Sequence, residues 1–399
     1  MEHQLTLALE CEGVTSDAIV TVATVQEAIS RPTHATVEVL SRTDIDLEAP
    51  LGTKAHLSFS VDGQPVRHFH LLVGAVRFEG LHRGHFRRYT FELTHELSML
   101  AFRGDVRMFQ EKDAKDIVSE VLDGAAVPAD TLSWSIQRSL VKRVYCVQYR
   151  ETDLNFVARL LEHEGIFYFI HDDDGGTHVT FADAQSAFPP IEGETALGIV
   201  EGRGHGEGVH DFWLETIATP ERVTVGDYNF EAPNTLLTAD QKAADPARGD
   251  VFEYAAGHKT PADGMSVAKI RCEEMMAKSR IGTGTADRWT FRAGTTFDLE
   301  GALSEHLNGK YLLTHVTHQV VAHAEEALDQ GSYSNTFTCI PHAITFRPPR
   351  TAVRPRLRGV HSVVVTGPGG EIHTDEHGRM KGKYFWASAS GRKSAVCRA

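Results

Sequence analysis

The sequence is poor in the features that mark several functional classes. It has few cysteines, an odd number with wide spacing and no CxxC pair: Cys11, Cys146, Cys272, Cys339 and Cys397. Neither a disulfide framework nor a thiolate zinc site is therefore indicated. We expect reduced and mostly buried thiols.

Positive charge and long apolar runs are also scarce. The chain has 40 Lys and Arg against 54 Asp and Glu, a formal net charge of -14. Because proteins bind nucleic acids by placing Lys and Arg against phosphates, this balance argues against a nucleic-acid partner. The N-terminus has no basic segment followed by an apolar run, and apolar stretches such as 71–76 are too short to span a bilayer. We predict no membrane anchor and a chain kept in the cytoplasm at first.

The motifs of common enzymes are missing as well. There is no G-x-S-x-G elbow or Walker lysine, and the cysteines show no local nucleophile signature. The glycine-rich segment 202–208 has the composition of a phosphate loop, but it leads into the strand-like Phe212-Trp213-Leu214 rather than a helix. We interpret it as a flexible connection and predict no catalytic, cofactor-binding or metal-binding residues.

Histidine is abundant, with 22 residues. His68 and His70 would share one face of a strand, as some metal sites require, but the sequence shows no third ligand nearby. His315 and His318 are three apart on a strand-like stretch, which turns them to opposite faces. His373 and His377 lie around a turn that precedes Gly378. We favour a structural role for all of these histidines.

Two acidic clusters have simple structural interpretations. Asp172, Asp173 and Asp174 lack the alternating spacing and the distal glutamate of a calcium loop, so they predict a solvated hairpin tip. Glu162 and Glu164 are expected on an exposed helix face, without acid–base chemistry.

The most informative segment is 146–170. Thr152 and Asp153 can accept hydrogen bonds at the start of a helix over 153–164, whose apolar face is predicted from helical spacing: Leu154, Val157, Leu160 and Leu161. Gly165 is expected to end the helix in the left-handed conformation. A strand over 166–170 and a turn over 172–176 should follow.

The rest of the chain predicts a mainly β protein with an α+β insert. Strand patterns run from Leu5 to about Phe102 and from Val209 to about Phe346, with helices at 113–122, capped by Asp113, and at about 265–279. Residues 346–359 hold three prolines and five arginines, which indicates an extended linker. Residues 361–386 supply about three strands, with a turn at 367–370, whereas an OB-fold barrel needs five strands.

A weak internal repeat relates the two strand-rich regions. The order Gly52-Thr53, a strand around 74–76 and then 89–93 has a counterpart in Gly294-Thr295, a strand around 315–317 and then 333–337. This spacing predicts one strand topology used twice.

Blocks along the chain resemble the VgrG family, the spike-hub proteins of bacterial type VI secretion, which are related to the hubs of contractile phage tails. The resemblance rests on segment 146–170 and on further blocks in the family's order: 227–230, 307–313, 346–350, 363–368, 374–379 and 385–386. It implies two similar β-barrel domains flanking an α/β unit, followed by a partial OB-fold. The expected divisions are 1–105, 106–205, 206–346, the linker 347–359 and an incomplete OB-fold with a tail at 360–399.

The resemblance also implies a function. A homotrimer with two barrels per chain would give a pseudo-sixfold ring for an Hcp-type inner-tube hexamer. The other partners expected for the homotrimer are baseplate proteins, a PAAR-type tip protein and effectors. The homotrimer would be secreted through the type VI apparatus. No cofactor or catalysis is implied, and the interface residues are unknown.

The end of the chain departs from the family pattern, in which further barrel strands and a needle follow Trp386. We expect a C-terminally truncated or frameshifted member, or a spike supplied by another chain, with a poorly packed tail at 387–399. The alternative hypothesis is a metal-dependent hydrolase or a secreted effector that uses the histidines.

Overall fold

The computed structural model describes residues 4–15, 17–200, 208–244, 248–324, 329–366, 374–388 and 396–398. The chain divides into two compact units. The larger unit comprises Met1–Glu96, Asp130–Gln137 and Gly165–Pro349, and the smaller comprises Leu97–Ala129, Arg138–Glu164 and Arg350–Ala399. Most of the glycine-rich connection, the turn at 367–370, His373 and most of the tail after Trp386 lie outside the described residues. The five-part division stays a prediction.

The elements follow the predicted alternation of strand-rich and helical regions. Six strands come first: β1 Leu5–Cys11, β2 Ile19–Ala28, β3 Arg31–Ser41, β4 Lys54–Val61, β5 Gln64–His82 and β6 Phe86–Thr94. The helical region follows: β7 Gly104–Lys112, α1 Ala114–Gly124, β8 Leu132–Ser135, β9 Arg143–Thr152, α2 Asp153–Glu164, β10 Phe167–Asp173 and β11 Gly176–Ala182.

The second strand-rich region contains one helix and nine strands among the described residues. They are β12 Ala196–Gly198, β13 Val209–Thr216, β14 Arg222–Asp227, β15 Leu237–Lys242, β16 Asp250–Tyr254, α3 Pro261–Met276, β17 Arg280–Ala286, β18 Thr296–Glu300, β19 Gly309–Ala324 and β20 Asp329–Pro341. The last sheet is β21 Val363–Val365, β22 Lys381–Tyr384 and β23 Val396–Arg398. The chain is mainly β, as predicted. No helix in the described ranges is long and apolar enough to cross a membrane.

A twelve-stranded sheet dominates the larger unit. Its first half has the order β1-β4-β5-β6-β3-β2, and its second half has the order β12-β18-β19-β20-β17-β13. The two orders correspond strand for strand. They differ at the start, since β1 pairs with β4 antiparallel whereas the short β12 pairs with β18 parallel. The predicted repeat is therefore present in the topology.

The hydrogen bonds fix the alignment of the two halves. The amides of Gly52 and Gly294 donate to the carbonyls of Val73 and Leu313, both at 2.8 Å. One residue further on, both β5 and β19 carry a β-bulge. The next pairs across the sheet match buried Phe91 with buried Phe337. The predicted correspondence of 89–93 with 333–337 is two residues out of register, because single-sequence comparison aligned the two tyrosines rather than the bulges.

Helices α1 and α2 begin as predicted, whereas α3 begins at Pro261 with Thr260 as its cap, before the predicted start at about 265, and ends at Met276 rather than at about 279. Asp113 caps α1 by accepting from the Asp116 amide at 3.0 Å, and Thr152 caps α2 by accepting from the Asn155 amide at 3.2 Å. Asp153 has a different role from the one predicted. Its buried carboxylate accepts from the side chains of Arg107 and other residues of the smaller unit, because β7 and β9 bring those donors beside the helix start: Arg103, Arg107 and Gln148.

The remaining elements add smaller sheets and the linker. In the larger unit, α3 covers the sheet of β14, β15 and β16, and its buried residues include Ala268 and Cys272. The prolines at 348–355 leave the linker without strand structure. Within the smaller unit it is docked on α2, where Glu162 accepts from the Ala352 amide at 3.0 Å and Asn155 pairs with the backbone of Val353.

Candidate functional site

The place where the two halves of the large sheet join is the best-defined site in the larger unit. β2 pairs antiparallel with β19 from Ala28 opposite His315 to Val22 opposite Val321. The backbone pairing is continuous over seven residue pairs. The join is therefore sheet structure rather than a flexible hinge.

A buried polar network crosses this join. The Glu27 carboxylate accepts from Arg67 at 2.8 Å and from Nε2 of His318 at 2.9 Å. Arg67 also donates to the carbonyls of Trp289 and Phe291 at 2.8 and 2.7 Å, which ties β5 of the first half to a loop of the second half. All three charged or ionisable side chains of the network are almost completely buried. Breaking such a pair would leave an uncompensated charge inside the protein.

The charge states in the network follow from its geometry. Burial alone would raise the pKa of Glu27, but Arg67 and the hydrogen bond from His318 lower it to about 2. Burial lowers the pKa of His318, so this imidazole is neutral at pH 7 and can donate from Nε2 while accepting from the Tyr333 hydroxyl at 2.7 Å. The network is a charge pair extended by neutral donors.

Asp172 lies near this network and differs from the prediction. The solvated hairpin tip was expected to include Asp172, Asp173 and Asp174, but Asp172 is only 6% exposed. It is the last inward-facing residue of β10, and one of its carboxylate oxygens has no hydrogen-bond partner. Burial raises the pKa of Asp172 to about 7. Asp173 is exposed and does form the tip, since it accepts from the Gly175 and Gly176 amides.

The predicted histidine pair gains a third member. His68 and His70 share a face of β5, as predicted, and both rings stack on His56 of β4, with ring centroids 5.3 and 4.7 Å apart. The sequence did not reveal His56, because hairpin pairing places it opposite His70. Within the described residues no group of three or more metal-ligating side chains has the geometry of a metal site.

The other singled-out histidines do not converge. His315 is exposed and His318 is buried, as expected for opposite faces of β19. His377 lies in a turn, where its amide and that of Arg379 bond to the Asp375 carboxylate, both at 3.0 Å. The turn interpretation of this segment is confirmed.

The predicted exposure of Glu162 and Glu164 is wrong, because both residues are buried in the smaller unit. Glu164 accepts from Arg138 at 2.5 Å and from Arg143 at 2.7 Å, and Glu162 holds the linker. The charged neighbours, with His163, lower the pKa of Glu164 against the effect of burial. Glu164 is thus paired with two arginines, and Glu162 is hydrogen-bonded to the linker. Of the cysteines, Cys146, Cys272 and Cys339 are buried free thiols and Cys11 is half-buried.

Comparisons with known proteins agree with this architecture. A family described as phage tail baseplate hub (GPD) matches residues 26–324. The chain is 32% identical to the type VI secretion system spike proteins VgrG4b and VgrG5 of Pseudomonas aeruginosa, in both cases over 96% of its own length. It covers 49% and 50% of those proteins, so it spans about half the length of the curated relatives it matches.

A solved structure has the same fold. The E. coli c3393 protein, described as a type VI secretion component with structural similarity to the T4 tail proteins gp27 and gp5, gives a TM-score of 0.73 at 20% identity. The match covers 94% of this chain and 88% of that one. The fold, the family match over both halves of the duplicated sheet and the VgrG relatives lead to one conclusion: this chain belongs to the phage tail baseplate hub family, in its VgrG branch.

Proposed function

We propose that the chain is the hub of a type VI secretion spike, in which three copies form a ring on the end of a hexameric Hcp-type inner tube. The observation that carries the proposal is the repeated strand order within one chain. Three chains with two equivalent halves present six similar units, which reconciles threefold symmetry with a sixfold partner.

We further propose partners for the other surfaces of the hub and a route out of the cell. Baseplate proteins, a PAAR-type tip protein and effectors would contact other surfaces of the trimer, and the hub would leave the cytoplasm through the secretion apparatus. The relatives in the matched region are spike proteins, which supports a role in assembly without catalysis. One relative, from Vibrio cholerae, is named an actin cross-linking toxin, and the chain spans only 34% of it.

Light scattering of the purified chain over a concentration series tests the trimer. We expect a species of three times the chain mass. In a separate sedimentation assay, this species should co-sediment with preformed rings of the tube protein. A chain that stays monomeric at every concentration and does not bind the rings would contradict the proposal.

A further inference from the structure

One segment of the large sheet lacks the neighbour that its repeat counterpart has. In β19, residues 315–321 have β20 on one side and β2 on the other. The counterpart in β5 begins at Ala75, after the matching bulge, and pairs with β6. On its other side β4 ends opposite Leu72, and no described strand continues beyond it. Residues 75–81 of β5 therefore form an open sheet edge.

The complementary edge lies at the other end of the same sheet. β13 corresponds to β2, because both strands carry a bulge at the same point of their pairing with the next strand, at Thr21 in β2 and His210 in β13. β2 has neighbours on both sides, whereas β13 from Asp211 to Thr216 pairs only with β17 within the described residues. Each side of the internal join therefore has an unpaired counterpart: the β19 side in β5 and the β2 side in β13.

Both open edges carry exposed large apolar side chains among charged ones. Phe78 and Leu81 are 47% and 68% exposed on β5, and Trp213 is 54% exposed on β13. At the covered join, by contrast, His318 and Val25 are completely buried. An exposed sheet edge with large apolar residues is a template for pairing with another strand.

We propose that β13 of one copy pairs antiparallel with the open edge of β5 in the next copy, and that from Ala75 to Phe78 the register is the one that β2 and β19 use within the chain. Beyond Phe78, β5 has a second bulge, at Glu79, that β19 lacks. This inference rests on the proposed trimeric hub and names its subunit interface. At the internal join Gln26 lies opposite Thr317 and Val25 lies opposite His318. When the two halves are aligned on their bulges, these pairs correspond to Glu215 opposite Arg77 and to Leu214 opposite Phe78.

The transferred register is chemically complementary. It places an acidic side chain against a basic one and an aliphatic side chain against an aromatic one, which are both favourable cross-strand pairs. Arg77 already contacts Glu79 at 3.4 Å, but that pair is exposed and contributes little to stability. A shift of the register by one residue would turn the two apolar residues to opposite faces.

The contact is head-to-tail, because a copy offers β13 at one side and β5 at the other. Such a contact closes a ring only if the rotation between copies returns to the start. If the internal join and the contact between copies rotate one half relative to the next by the same angle, a ring that matches the sixfold tube has six joins. Joins within a chain then alternate with joins between chains. A closed ring then contains three copies.

Disulfide trapping tests this register in the full chain. We expect the Arg77→Cys, Glu215→Cys double variant to form disulfides between copies on mild oxidation, giving covalent dimers and trimers and nothing larger. The matched control is Gln26→Cys, Thr317→Cys, the same pair at the internal join, which should form its disulfide within one chain. The unsubstituted chain reports any background from the native thiols.

The outcomes separate this inference from the proposed function. A trimer in light scattering whose Arg77→Cys, Glu215→Cys variant gives no covalent species, while the control pair closes, would overturn the strand pairing and leave the hub standing. Covalent species that grow beyond three copies would support the pairing and contradict the closed trimer. A monomer without cross-links would overturn both.

Discussion

At the scale of single residues, the buried charges of the larger unit connect positions that are far apart in the sequence. Glu27 and His318 are 291 positions apart, and Arg67 lies 40 positions from Glu27. No local pattern connects such residues, because the connection depends on the pairing of β2 with β19. His318 was predicted only as a structural histidine of the sheet wall, and its partners could not be named.

The Asp172 carboxyl predicts a specific pH dependence. Its pKa is about 7 in the folded protein against 3.8 for an ordinary aspartate, so the folded state holds its proton more tightly than the unfolded state. The stability that this group contributes is complete below pH 3.8 and is lost as the pH rises through 7. Asp172→Asn keeps the shape and cannot ionise. We expect it to raise the free energy of unfolding, relative to wild type, by about 2 kcal/mol more at pH 8 than at pH 5.

Urea unfolding at both pH values measures this difference. Asp173→Asn is the matched control, since the neighbouring carboxyl is exposed and has a lowered pKa. That group is ionised at both pH values, so its substitution should change stability equally at pH 5 and pH 8. An effect of Asp172→Asn that is the same at both values would show that this carboxyl does not titrate between them.

At the scale of elements, the helix α2 and the strand after it were predicted closely because their signals are local. Helical spacing, the Thr152 cap and the glycine stop all lie within one segment, and Gly165 has a φ of +67° as expected. The face that packs was predicted less well. Leu154 is only half-buried, whereas Phe156 is fully buried.

Gly165 is also a packing position, which gives a prediction for Gly165→Ala. A Cβ there would lie 2.7 Å from Cγ2 of Ile270 and 3.0 Å from Cδ of Arg347. The left-handed conformation costs about 1–2 kcal/mol for alanine, and overpacking adds about 1–3 kcal/mol. We expect the free energy of unfolding, measured by chemical denaturation, to fall by about 2–5 kcal/mol.

Gly84→Ala separates the two contributions to that loss. Gly84 has a similar φ of +72°, and no atom lies within 4 Å of its Cβ position. The free energy of unfolding of Gly84→Ala should therefore fall only by the cost of the left-handed backbone conformation, about 1–2 kcal/mol. Equal losses in the two variants would mean that the contacts with Ile270 and Arg347 relax without cost.

The repeat is weak in the sequence, and one pair of corresponding positions shows how residue identity is lost: the larger side chain is on β3 in the first half but on β13, the counterpart of β2, in the second. In the first half Ala23 on β2 lies opposite Val37 on β3, and the corresponding pair in the second half is Phe212 opposite Gly284. The summed side-chain volume of the pair is similar in the two halves, although both residues of the pair differ. Position-by-position comparison cannot detect such an exchange, whereas strand order and bulges preserve it.

At the scale of the whole molecule, the duplicated sheet leaves the protein with unequal ends. The internal join covers one edge of each half, and within the described residues the corresponding edges left unpaired are those of β5 from Ala75 onward and of β13. The family resemblance implied a trimer but named no interface residue. The interface could be inferred only after the structure had fixed the alignment of the halves, because a shift of two residues would pair different side chains.

Charge reversal at this interface gives the last prediction. Arg77→Glu places two acidic residues opposite each other, and Glu215→Arg places two basic ones, at each of three interfaces in a ring. Since a cross-strand charge pair is worth about 0.2–1 kcal/mol, each single variant should weaken the trimer by about 1–3 kcal/mol, measured by sedimentation over a concentration series. The double variant should recover most of this loss because the pair is restored with its signs exchanged. The matched controls Lys259→Glu and Glu231→Arg make the same charge changes at a surface pair that belongs to neither β5 nor β13, and they should leave the trimer intact. Additive weakening in the double variant would show that the two side chains do not meet.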